Sequence, residues 1–232
     1  MPQAALDSIR AVTFDMYGTL LDLETSFVQG FSQFLKAKGL DLDAAEVVRT
    51  WEAAYLHEST VDTLLDRGRT PFERVRRACL SQVFSRLGID HTLDDVEGLL
   101  TSGARVSLFP DVQEGLLALR DRYTLAILSN GDLVSLEQAV SGLSIPVHRA
   151  ISAEQAGAYK PHPSVYRAAV ELLGLENGQV LHIAAHAWDI RGAKTFGLRG
   201  AYLNRDNVPF GDSPLQPDFE VSRLTELAGR LP

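Results

Sequence analysis

The sequence is short of cysteine, of positive charge and of long apolar runs, and each shortage excludes something. A single cysteine, Cys79, cannot close an internal disulfide. It lies in ERVRRACLSQVFSRLG with no His or Asp beside it for thiolate chemistry, so it reads as packing. The 22 Lys and Arg are outnumbered by 30 Asp and Glu, a formal net charge of -8. An anionic polymer would meet a repulsive average field, so nucleic acid is not an expected partner. No apolar run approaches the roughly 20 residues that a membrane span needs, so no membrane partner is expected. The opening MPQAALDSIR lacks a basic stretch followed by an extended apolar one, so no secretory signal is expected and the predicted compartment is the cytoplasm.

What is present is a full globular complement, 232 residues of which 45% are hydrophobic, enough for a large core or for a domain carrying an insertion. Short apolar, β-rich runs recur as AVTF (11–14), LAIL (125–128), VLHIA (180–184) and RGAYL (199–203). Helical patterns lie between them, in DVQEGLLALRDRY, LVSLEQAVSGL, PSVYRAAVELLG and IRGAKTFG. This alternation predicts an α/β fold with a doubly wound parallel sheet, a Rossmann-like core whose site lies beyond the carboxyl ends of the strands. From Leu20 to about Arg105 the alternation stops, and only amphipathic helical patterns appear, in SFVQGFSQFLKAKG, AAEVVRTWEAAYLHES and PFERVRRACLSQVFSRLG. The expected organisation is a core of residues 1–19 and 105–232 with an inserted helical cap of residues 20–104, a candidate lid. PFGDSPLQPDFE, near the C-terminus, reads as a Pro-rich loop.

Asp15 directly follows an apolar strand and opens the tight turn Met16, Tyr17, Gly18, Thr19. By itself it fits either a nucleophile at a strand end or a turn-capping Asp. The pattern FDMYGTL resembles the first motif of the haloacid dehalogenase-like hydrolases, in which the Asp is the nucleophile. The resemblance continues in order through Ser129 and Asn130 in LAILSNG, Lys160 in YKPHPSVY and Asp189 in AAHAWD. Phosphatases of that superfamily carry a second Asp two residues after the nucleophile, as the acid for an alkoxide leaving group. Tyr17 stands there instead, and a halide leaves without a proton. The chain therefore resembles the L-2-haloacid dehalogenases, and no cofactor is expected. The phosphatases also hold Mg²⁺ with acids four apart in the last motif, where this chain has Ala185 before Asp189. No metal is expected, since two carboxylates make a weak Mg²⁺ site.

The resemblance implies a set of roles. Asp15 attacks the halogen-bearing carbon of a short 2-haloacid, with inversion, and Thr19 belongs to the catalytic group. Lys160 keeps Asp15 ionised, Asp189 directs the hydrolytic water, and Arg49 in the cap meets the departing halide. Tyr17, Ser129, Asn130, Tyr166, His186 and Trp188 line the substrate site. Each has a plainer alternative: Lys160 a loop lysine, Arg49 a solvated helix-face arginine, Ser129 and Asn130 a strand-to-helix cap, Tyr166 a core aromatic, Asp189 an N-cap for a helix starting at Ile190. The last motif departs from the family pattern, with Ala184 and His186 where a Ser and an Asn are usual, so His186 either contacts substrate or water, acts as a base, or is a buried histidine satisfied by backbone. Related dehalogenases are often dimers, which allows a homodimer here. Neither the halogen nor the chain length is specified by these residues.

Overall fold

The computed structural model describes residues 6–102, 107–143 and 145–232. The chain forms two compact units, Met1–Leu20 with Leu108–Pro232, and Leu21–Ser107. The expected boundary at 104/105 falls outside the described residues.

In chain order the strands are β1 (Ala11–Phe14), β2 (Leu21–Asp22), β3 (Ser107–Leu108), β4 (Thr124–Ser129), β5 (Arg149–Ser152), β6 (Val180–Ala184), β7 (Arg199–Leu203) and β8 (Phe219–Val221). The helices are α1 (Leu23–Ala37), α2 (Ala44–Leu64), α3 (Phe72–Arg86), α4 (Leu93–Ser102), α5 (Val112–Leu119), α6 (Leu133–Leu143), α7 (Pro163–Leu173), α8 (Ala187–Phe196) and α9 (Leu224–Arg230). Six strands form one parallel sheet in the order β5-β4-β1-β6-β7-β8, while β2 and β3 pair separately. The chain moves outward from β1 to β5, returns beside β1 as β6, and moves outward again. The order therefore reverses between β1 and β6, where such sheets place their crevice.

β1 and β6 are buried at every residue. That is why they read as unbroken runs rather than as alternating strands, since helices cover both faces of a parallel sheet. Each buried Phe, Leu, Ile or Val there contributes roughly 1.5–3 kcal/mol. α7 is delimited locally: His162 caps it, Pro163 starts it, and Gly174 in the left-handed region ends it.

Several elements differ from the sequence expectations. α5 covers only the first part of DVQEGLLALRDRY, and α8 begins at Ala187 rather than Ile190. The end of the Pro-rich segment is not loop, because Phe219 and Glu220 open β8 on the sheet edge.

The second unit packs around aromatic rings. Trp51 stacks on Phe31 at 5.8 Å and meets Phe27 edge-on at 5.1 Å. Its indole N–H donates to the Arg76 carbonyl at 2.9 Å. Asp22 and Asp43 cap α1 and α2 through their side chains. Cys79 is buried here, and burial, with Glu58 adding to it, pushes its thiol up to about 11, in keeping with a packing role. Among the described residues, no helix is long and apolar enough to cross a membrane.

Candidate active site

The β1–β6 ladder continues one residue past β1, because the Asp15 N–H donates to the Ile183 carbonyl at 2.9 Å. This fixes Asp15 at the carboxyl ends of the two strands where the order reverses. The chain then turns back through Gly18 at φ +75°, a conformation that a side chain would strain. The turn returns Thr19 to Asp15: its hydroxyl donates to Asp15 Oδ2 at 2.7 Å and accepts from the Ala185 N–H at 3.0 Å.

Lys160 enters from the loop before α7. Its backbone N–H donates to Asn130 Oδ1 at 2.8 Å, and its Nζ lies 2.9 Å from Asp15 Oδ1 and 2.6 Å from Asp189 Oδ2. The Lys160 and Asp189 side chains are fully buried. Tyr166, on α7, donates to Asp189 Oδ1 at 2.7 Å. His182 Nε2 stands 3.1 Å from Asp189 Oδ2, and Thr13 Oγ1 lies 2.9 Å from His182 Nδ1.

Burial is the largest influence and raises both carboxyls, but Lys160 together with His186 at Asp15, and Lys160 together with His182 at Asp189, more than reverse it and hold each below the usual carboxylate range. For Lys160 burial acts downward, and the two carboxylates more than reverse it, so the ammonium persists. Tyr166 is pushed well above its ordinary value, first by burial and then by Asp189, and stays a hydroxyl donor. At about 4 Å and an effective dielectric near 20, one such attraction is on the order of 4 kcal/mol. The result is an ionised, desolvated carboxylate held by a fixed cation, able to attack an electrophilic centre.

The remaining expected residues divide into two groups. Tyr17 packs over Gly131, where an added Cβ would meet its ring at 3.2 Å, and the Gly131 N–H donates to Ser129 Oγ at 3.2 Å. Tyr17 and the Ser129–Asn130–Gly131 turn thus share one wall, and Ser129 also plays its capping part. The His186 ring lies 5.5 Å from that of Trp188, and its Nδ1 is 3.6 Å from Asp15 Oδ2, beyond hydrogen-bond length. Nδ1 has no hydrogen-bond partner, so the alternative of a histidine satisfied by backbone is not what occurs at that nitrogen. Burial lowers His186 and Asp15 raises it, with a net rise. Arg49 belongs to the other unit, half-exposed on α2 and paired with Glu46 at 2.8 Å and Glu24 at 3.4 Å. Asp189 is not the N-cap of α8: that position is His186, and the Asp189 carboxylate turns inward to Lys160 and Tyr166.

Asp189 keeps no free oxygen edge, since Oδ1 takes Tyr166 and Oδ2 takes Lys160 and faces His182. A divalent ion would be left with Asp15, itself engaged at both oxygens, and that donor set does not fit Mg²⁺. Among the described residues, no group of three or more His, Cys, Asp or Glu is placed to hold a metal.

Thr13 and His182 escaped the sequence reading. The only signal was a polar residue inside each apolar run, AVTF and VLHIA, and it gains meaning once β1 and β6 pair with Thr13 opposite His182. The cluster also leaves no slack beneath α8. A Cβ at Gly192 would come within 2.5 Å of the Tyr166 hydroxyl and 2.7 Å of Pro161 Cβ. Gly192→Ala should therefore cost about 1–3 kcal/mol of stability by overpacking. Denaturant titration checks it, and an unchanged midpoint would mean that Tyr166 and Pro161 yield without cost.

Residues 9–197 match the haloacid dehalogenase-like hydrolases. The chain is 32% identical to haloacetate dehalogenase H-2 of Moraxella sp. (strain B), covering 93% of this chain and 95% of that protein. It is likewise 32% identical to (S)-2-haloacid dehalogenase 1 of Pseudomonas sp. (strain CBS-3), over 96% of each. Among solved structures it is similar to an L-2-haloacid dehalogenase from Xanthobacter autotrophicus with chloropropionic acid covalently bound, at a TM-score of 0.82 and 26% identity, covering 95% of this chain and 97% of that one.

Proposed function

The chain belongs to the haloacid dehalogenase-like hydrolase family, and from that premise we propose that it is a 2-haloacid dehalogenase. One observation carries the reading: Asp15 is kept ionised by Lys160 while the residue two positions on, Tyr17, offers no carboxylic acid. A site of this kind suits a leaving group that needs no proton, and a halide is one. The names of the relatives at 32% identity, haloacetate and (S)-2-haloacid dehalogenases, support the same substrate class.

In this reading an oxygen of Asp15 attacks C2 of a short 2-haloalkanoate. The carbon–halogen bond breaks, the electron pair leaves with the halide, and an ester forms on Asp15. Ser129, Asn130 and the backbone of their turn hold the substrate carboxylate, Tyr17 and Trp188 line the apolar part, and Arg49 and Asn130 receive the halide. Thr19 keeps Asp15 oriented. Water then attacks the ester carbonyl carbon; the bond from that carbon to the substrate oxygen breaks, the leaving alkoxide takes one proton of the water to give the 2-hydroxy acid, and the Asp15 carboxylate returns as the other proton passes through His186 to solvent. A single displacement at C2 inverts that centre. Asp189 positions Lys160, because its oxygens are already taken, and His186 receives the proton of the water. The enzyme works in the cytoplasm without a metal, and the family resemblance allows a homodimer.

The test is halide release from chloroacetate and from each enantiomer of 2-chloropropionate, with EDTA present, beside the Asp15→Asn variant. The expected result is release that resists EDTA and is absent from the variant. Mg²⁺-dependent cleavage of an aryl phosphate with no halide release would replace this reading with a phosphatase.

A further inference from the structure

Asp189 is the most enclosed carboxylate of the site, and one of its neighbours has no part in the chemistry proposed above. His182 is wholly buried on β6, directly across the parallel register from Thr13 on β1, which is equally buried. His182 Nδ1 lies 2.9 Å from the Thr13 hydroxyl oxygen, and Nε2 points at Asp189 Oδ2 from 3.1 Å with no other hydrogen-bond partner. A carboxylate held ionised only accepts. For the approach at 3.1 Å to be favourable, Nε2 must carry the proton. In the neutral ring Nδ1 is then a bare acceptor, into which the Thr13 hydroxyl donates. The hydroxyl thereby selects the tautomer, as a second partner does for any neutral histidine.

We propose that Thr13 and His182 are a positioning pair: they fix Asp189 as an oriented anion and, through it, hold Lys160 against Asp15. Neither residue touches the reacting atoms. Asp189 Oδ2 is shared between Lys160 Nζ and the His182 N–H, so loss of the second donor weakens the anchor of the first. The groups facing Asp189 are Lys160 from the loop, His182 from β6, Tyr166 from α7 and, farther off, Asp15 after β1 and His186 before α8. Those facing His182 are Thr13, Asp189 and the Tyr166 ring, edge-on at 5.8 Å. Burial raises the Asp189 carboxyl, and Lys160 and then His182 oppose that rise. Removing His182 therefore moves Asp189 upward, and a protonated Asp189 no longer fixes the ammonium.

The catalytic half of this proposal rests on the dehalogenase reading, whereas the tautomer does not, and the experiment separates the two. Nitrogen-15 NMR of the native chain, without substrate, is expected to show the His182 proton on Nε2, with Nδ1 accepting from Thr13. A proton on Nδ1 overturns the pair whatever the protein hydrolyses. For the catalytic half, halide release by the native chain is compared with Thr13→Val, which is nearly isosteric, and with His182→Leu and His182→Gln. His182→Leu should lower kcat by roughly 10- to 100-fold, the worth of a hydrogen bond to a charged group. KM should change little, and the acid limb of the kcat profile should move to higher pH. His182→Gln, whose amide can donate to Asp189, should recover most of the loss, and Thr13→Val should lose severalfold with the same shift in pH profile. If Thr13→Val keeps the native kcat and acid limb while halide is released normally, the proposal fails, even should His182→Leu not fold.

Discussion

Lys160→Met is expected to lower halide release by about a thousandfold or more, the equivalent of one attraction on the order of 4 kcal/mol lost from the ionised nucleophile. The substitution keeps the length and apolar stem of the side chain while removing the only ammonium between Asp15 and Asp189. Two buried carboxylates then face each other without the ammonium that joined them, and removing one partner of a buried ion pair typically costs about 3–5 kcal/mol. The more telling readout is the sign of the pH dependence. In the native protein both carboxyls titrate below their unfolded values, so their contribution is fully present above about pH 4 and is lost as pH falls below it. In the variant, burial and mutual repulsion raise at least one of them above its unfolded value. The folded state then binds the extra proton, and stability increases as pH falls from neutral toward about 4. Thermal melts between those limits should rise toward acid for the variant and stay level from this source for the native protein. Parallel melting curves would mean that Lys160 does not compensate the carboxylates as the geometry indicates.

The same contrast explains what could be read from the sequence. β1, β4, β6 and β7 were legible because strands buried on both faces need unbroken apolar runs, and no other short element does. β5 and β8 lie at the sheet edges, where burial is one-sided: Arg149 opens β5 to solvent, and β8 is three residues long after a Pro-rich stretch. Asp15, Thr19, Lys160, Tyr166 and Asp189 were legible as motif positions, and the fold brings all five into direct contact. Thr13 and His182 were not, because side-chain direction along a strand is fixed only by register. Their partnership is a property of the β1–β6 pairing, to which residues 169 positions apart contribute. Arg49 was singled out by the family resemblance alone, and within its own unit it pairs with Glu24 and Glu46.

His186→Ala should divide the reaction in two. In the free enzyme burial opposes charge on His186, but the Asp15 carboxylate at 3.6 Å favours it and raises its pKa. That imidazolium stabilises the fold fully below about pH 6.5, and the contribution is lost as pH rises through the raised value. Formation of the ester removes the charge of Asp15, and with it the main influence holding the proton on His186. Burial and the positive charge of Lys160 remain, and both favour the neutral ring. The imidazole therefore becomes a base at the stage when a water must be deprotonated, and only then. Ala184 supplies no hydroxyl, so the histidine has no side-chain substitute at that position. The variant should release about one halide per active site at the native rate, because displacement at C2 needs no base. Steady-state turnover should then fall by roughly 10²- to 10⁴-fold, the usual worth of a positioned base. Mass spectrometry of the stalled protein should find the acyl group on the peptide containing Asp15. In the native enzyme the deacylation rate should decline as pH drops through the His186 value of the ester form, which lies below that of the free enzyme. Native turnover by His186→Ala, with no ester accumulating, would return the activation of water to Asp189 and require its carboxylate to leave Tyr166 or Lys160 during the cycle.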